Sequence, residues 1–136
     1  MLVHHSLSQG EARAALEAGL AAARARGVVV ALAVGDRTGE IIACERMDGA
    51  PARNLKHAFR KVFTAAEMGR DTSVFGDQLR QRGGDLVQWG DPRLTNLPGG
   101  LAVIRDGEVV GAVACGGAPS DVDIEIARAM AAATAA

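Results

Sequence analysis

An α+β domain, with helices packed on an antiparallel sheet, is the fold class this sequence predicts. Three observations carry that expectation. Segments 28–47 and 100–117 each hold two β-rich runs joined by a tight turn, and such hairpins make antiparallel neighbours. The segments around and between them place apolar residues at helical spacing. Single strands nowhere alternate with single helices, the arrangement that builds a parallel sheet. At 136 residues the chain is expected to form one domain, 1–136, long enough to bury a core.

The elements follow in order. Ser8-Gln9-Gly10-Glu11 has the form of a capping box, and Ala12, Ala15, Leu16, Gly19, Leu20 and Ala23 recur behind it at helical spacing. The first helix is expected to end at Gly27. "VVVALAV" (28–34) is short and β-branched, a buried strand; "GDRTG" turns the chain and "EIIACERM" returns as the second strand. Gly49, Pro51 and Asn54 open the next helix, with Leu55, Phe59, Val62 and Ala66 as its apolar stripe. Asn54, His57, Lys61 and Thr64 form its polar one. A break at 69–73 precedes a short amphipathic helix to about Arg82, and 83–100 reads as loop. Asp106-Gly107 turns the second hairpin, and Ser120 is expected to cap a last helix carrying Ile124, Ile126, Ala127 and Met130.

Composition excludes several function classes. A net charge of −1, with no basic run, argues against nucleic acid as a partner. The apolar N-terminus is interrupted by Glu11, Arg13, Glu17 and Arg24, so neither a membrane span nor a signal peptide is expected, and the cytoplasm is the expected location. Cys44 and Cys115 lie within strand patterns and read as reduced core thiols. Aromatics make up only 3% of the chain, so alanine and valine must fill the core around Phe59, Phe63, Phe75 and Trp89. His4-His5 has no spaced partner set, and no metal site is expected.

Three groups of residues could carry chemistry. Arg46 and Asp48, two apart at a strand end, point to one face, either as an ion pair or as a carboxylate-binding fork with an acid beside it. His57 and Lys61 are neighbours at i, i+4 on the following helix, either a solvated face or two sides of an anion site. Pro98-Gly99-Gly100 precedes a strand, either as a plain turn or as backbone N–H groups facing an anion.

The sequence "RMDGA", then "KVFTAA" followed by "RDT", then "LPGGLAV" and "GEVVGAVACGGAPSDVDIEIARA", resembles in order the GlcG/HbpS family. This is the haem-degrading domain, also found at the C-terminus of PduO-type proteins. The likeness spans roughly Ser8 to Ala132, with Ala102 standing where the family usually has proline. It implies a five-stranded antiparallel sheet flanked by helices with profilin-like layering, assembly as dimers or larger homo-oligomers, and haem as a cofactor. The family's motifs fall on Arg46, Met47 and Asp48, on Lys61 to Ala65, and on Pro98, Gly99 and Gly100. No uniform iron ligand transfers, so His57, His4 and His5 are candidates by chemistry alone.

Three functions stand open. The first is an oligomeric binder of a small anionic ligand, haem included, using Arg46, Asp48, His57, Pro98, Gly99 and Gly100. The second is a cofactor-independent isomerase, tautomerase or lyase in which Arg46 and Lys61 hold a carboxylate while His57 or Asp48 moves a proton. The third is a roadblock- or profilin-like interaction module.

Overall fold

Ser8 starts the first helix as its spacing to Glu11 predicts. Its hydroxyl accepts the Glu11 N–H at 3.2 Å, and the Glu11 carboxylate accepts the Ser8 N–H at 2.9 Å. The computed structural model describes residues 1–135. In chain order these form α1 (Gln9–Arg26), β1 (Ala31–Gly35), β2 (Ile41–Arg46), α2 (Ala52–Met68) and α3 (Thr72–Gln81). A 3-10 turn (Leu86–Trp89), β3 (Gly100–Arg105), β4 (Glu108–Gly116) and α4 (Ser120–Ala133) follow.

The strands form one antiparallel sheet in the order β2-β1-β4-β3, two hairpins laid side by side. The expected α+β class is present, but the expected fifth strand is not: the described residues form a four-stranded sheet. The N-terminal segment runs in the lane beyond β1, where the Leu7 N–H reaches the Val110 carbonyl at 2.8 Å. There the ladder stops, because the His5 N–H donates to the Glu108 side chain rather than to backbone.

Alternation along β1 and β4 divides the core. On one face Leu32, Val34, Val113 and Cys115 pack with Ala15 of α1 and Met130 of α4. On the other, Ala33, Ala112 and Ala114 lie beneath Ala58, Val62 and Ala65 of α2. Alanine on alanine brings α2 very close to the sheet, and a Cβ built on Gly116 would lie 2.8 Å from the Asn54 carbonyl.

Several expectations need correction. On α2 the stripe read as polar faces inward, with Asn54, Lys61 and Thr64 buried, while Phe59 is exposed. The centre of the sheet beneath α2 is alanine, at Ala33, Ala112 and Ala114, so the helix lies close enough to turn polar side chains inward where hydrogen-bond partners wait. Cys44 is exposed, because β2 is an edge strand; only Cys115 is a core thiol. Ser120 is the first residue of α4, with Pro119 at the cap and no side-chain cap bond. Asp106 and Gly107 both take positive φ, 52° and 77°, as a two-residue hairpin turn of the predicted kind requires.

Candidate functional site

Lys61 is the most deeply buried charge on α2, only 3% exposed. Its ammonium donates to the Cys115 carbonyl at 2.8 Å and to Asp123 Oδ2 at 3.3 Å. Asp123, in the first turn of α4, is 4% exposed. Its second oxygen accepts the Ala118 N–H at 3.0 Å and the Cys115 thiol at 3.3 Å. Both charges are therefore paired and hydrogen-bonded, the condition under which ions tolerate burial. Burial, and then the negative charge of Asp123, push the Cys115 thiol far above its ordinary range. It stays protonated at neutral pH and does not serve as a nucleophile.

The Pro98-Gly99-Gly100 turn closes over this pair. Gly99 has φ 114°, and a Cβ there would lie 2.7 Å from the Cys115 carbonyl and 3.0 Å from Lys61 Nζ. Only glycine lets the turn approach so closely. The Gly99 carbonyl accepts the Cys115 N–H at 3.0 Å, and the Gly100 N–H donates to Thr72 Oγ1 at 3.0 Å. The Gly100 donor is thus spent inside the protein, on the start of α3, rather than facing outward.

Above the pair opens a cavity of about 260 Å³, walled among others by Asn54, His57, Lys61, Pro98, Gly117 and Asp123. His57 is half-buried. Ser120 stands exposed at the rim, as the first residue of α4. Two helix N-termini meet here, α2 at Pro51 and α4 at Pro119, and neither has a side-chain cap bond. No acid lies in the first turn of α2. The first turn of α4 holds Asp121 and Asp123, which answer its dipole, so it is the N-terminus of α2 whose partial positive charge and spare N–H donors favour an anion.

Of the residues singled out from sequence, His57, Lys61 and Pro98 line this cavity, and Gly99 and Gly100 close its floor. Arg46 and Asp48 do not line it; both are exposed, and they form no ion pair with each other. The reason is local. β2 ends at Arg46, the Met47 N–H turns back to the Val30 carbonyl, and Asp48 falls in the following turn, so strand alternation no longer aligns the two. Arg46 nonetheless sits at the cavity's end of the sheet. It pairs with Ala31, which pairs with Gly116, two strands or roughly 10 Å away. His4 and His5 lie at the opposite end, 3.7 Å and 3.2 Å from the Glu108 carboxylate.

Sequence reasoning missed Asp123, Asn54 as a wall, and Gly117. An acid in the first turn of a helix reads as a surface group complementing the helix dipole, which conceals a buried partner. The available signal was Lys61 itself, since a lysine flanked by Val62, Phe63 and Ala58 needs an acid if it is buried.

Residues 7–132 match the family described as haem degrading protein HbpS-like. Protein GlcG of Escherichia coli is 34% identical over 107 residues, 79% of this chain and 78% of that protein. A double mutant of Streptomyces reticuli HbpS superposes with a TM-score of 0.88 at 34% identity, over 97% of this chain and 89% of that one. The PduOC:haem complex superposes with a TM-score of 0.85 at 26% identity, over 94% of each chain.

Proposed function

This chain belongs to the HbpS-like family of haem-degrading proteins, and from that premise we propose that it binds a small anionic ligand, haem or a lesser carboxylate, in the cavity between α2 and α4. The observation that carries the reading is the meeting of the uncapped, acid-free N-terminal turn of α2 and one half-buried imidazole at a single cavity. Its volume of about 260 Å³ lies just under the range of about 300–1,000 Å³ usual for drug-sized ligands. A small carboxylate fits within it. A haem would project from the mouth, with His57 at hand as an imidazole for the iron that haem supplies. The exposed Arg46, at the same sheet end, would then meet the projecting part, while Lys61, held by Asp123, keeps the floor rigid and electrically neutral.

Assembly as a homo-oligomer belongs to the same reading. β2 and β3 are open sheet edges, and Ile104 on β3 is 51% exposed. Both cysteines are free thiols, which suits a reducing compartment such as the cytoplasm. Among the described residues no helix is long and apolar enough to cross a membrane.

Titration with haemin, followed at the Soret band, tests the binding reading in wild type and in His57→Ala. The expected result is a saturable shift at fixed stoichiometry, weakened about tenfold or more in the variant and displaced by small carboxylates. Unsaturable absorbance, with no carboxylate detectable by calorimetry, would contradict it.

One observation favours a second reading, a cofactor-independent isomerase, tautomerase or lyase. Lys61 and Asp123 are locked to each other, which leaves the imidazole of His57 as the acid–base group of the cavity wall that no such pair holds. Turnover of a carboxylate substrate abolished in a folded His57→Ala protein would support it; unchanged turnover would remove His57 from the chemistry.

A further inference from the structure

The outer face of α2 carries a second cavity that shares no wall with the first. Lys56, Phe59, Arg60 and Phe63 stand at i, i+3, i+4 and i+7, one stripe along the flank of the helix that runs from exposed Phe59 to Phe63, buried beside the first hairpin. With the 39–41 end of the first hairpin and Arg93 from the loop before β3, they enclose about 310 Å³.

Three features mark this as more than a solvated helix face. Phe59 is 36% exposed on a surface where a polar residue would be unremarkable. The Arg93 guanidinium lies 3.7 Å from the centre of the Phe63 ring and covers it. Arg93 is fixed in that place by Glu40 at 3.1 Å and by Asp91 at 3.3 Å, so its charge is already answered twice. Lys56 and Arg60 are different. They are exposed, stand as like charges at i, i+4, and have no acidic partner within 4 Å among the described residues. An aromatic floor rimmed by two unanswered cations calls for a flat apolar body with one anionic end.

We propose that this cavity is a second ligand site, taking a planar aromatic carboxylate whose ring rests on Phe59 and whose carboxylate is held between Lys56 and Arg60. Arg60 supplies the forked donors that match a carboxylate, and Lys56 the additional charge. Arg93 and Phe63 form the fixed wall. The site is independent of His57 and of the buried Lys61–Asp123 pair, so it stands or falls apart from the binding reading above.

Calorimetric titration with 2-naphthoate tests it, with 2-naphthylmethanol as the uncharged analogue. Four proteins are compared: wild type, Phe59→Ala, Lys56→Gln with Arg60→Gln, and His57→Ala. The substituted side chains of the second and third are at the surface, so folding is expected to survive. The expected result is saturable naphthoate binding that falls about tenfold or more in both of those variants and weakens with added salt. In His57→Ala the part of the binding that depends on Lys56, Arg60 and Phe59 is kept, and the alcohol binds far more weakly than the acid. No saturable binding to wild type would overturn the proposal. So would binding indifferent to Lys56, Arg60 and Phe59 but lost in His57→Ala, which would hand the ligand to the first cavity. A change of oligomeric state in Phe59→Ala, with no naphthoate bound by wild type, would give this face to a second copy of the chain instead.

Discussion

Removing the carboxylate of Asp123 strands a buried ammonium. Lys61 Nζ would keep the Cys115 carbonyl as its remaining partner, and the Ala118 N–H and Cys115 thiol would lose their acceptor. Breaking one side of a buried pair costs about 3–5 kcal/mol, more than the pair itself contributes. Asp123→Ala and Lys61→Ala are each expected to lose stability on that scale in urea unfolding. The double replacement Lys61→Met with Asp123→Leu should lose clearly less than the two single losses added. Additive losses would mean that the two charges do not depend on each other. Lys61 and His57 were legible as candidates because their spacing puts them side by side on a helix. Their environment was not, since periodicity tells which residues share a face but not which face meets a sheet of alanines.

At the scale of elements, the site exists because glycines let three segments crowd together. Gly116 has no positive φ, so only space forbids a side chain there; a Cβ would meet the Asn54 carbonyl at 2.8 Å and push α2 off β4. Gly116→Ala is expected to cost about 1–3 kcal/mol and to weaken ligand binding with it. Gly10→Ala, in the first turn of α1 with only Ser8 Oγ at 3.9 Å, is the matched control and should be neutral or stabilising. A stable Gly116→Ala protein would mean that α2 packs more loosely than described.

A second element-scale prediction concerns acid. Arg105 of β3 donates to the Glu11 carboxylate at 2.6 Å and also to the Thr134 carbonyl, tying α1 to β3 and to the end of α4. The hydrogen bond from Arg105, and then that from the Ser8 N–H, hold the Glu11 carboxyl below its ordinary 4.5. A carboxyl lowered by folding adds stability above its unfolded value and loses it as pH falls through the folded one. Glu11→Gln should therefore be less stable than wild type at pH 7 and converge with it in strong acid. A constant gap between the two would contradict the tie. The capping box, the hairpin turn at Asp106-Gly107 and the order of helices were all readable, because each rests on local backbone chemistry. The inward turn of Asn54, Lys61 and Thr64 was not, because it depends on what α2 lies against.

At the scale of the whole molecule, two adjacent hairpins make a four-stranded sheet with helices on both faces, and one end of it gathers everything the site uses. The N-termini of α2 and α4, the turn before β3 and the end of β4 all arrive there, from positions as far apart in sequence as Pro51 and Asp123. That convergence is a product of topology, invisible to any single motif. It also explains why "RMDGA" looked like part of the site and yet stands outside the cavity: Arg46 ends the edge strand at the same end, two strands from Gly116.

The central claim is that the cavity between α2 and α4 holds the ligand, and Ser120 offers the most direct test of it. Ser120 is exposed, lies at the rim, and caps nothing. Ser120→Trp should therefore fill the mouth without disturbing the core. Haemin and small carboxylates would be titrated into wild type and Ser120→Trp, with unfolding curves to verify that both are equally stable. Binding lost in the variant at unchanged stability is the predicted result. Full binding in a folded Ser120→Trp protein would contradict the account and place the ligand elsewhere on the molecule.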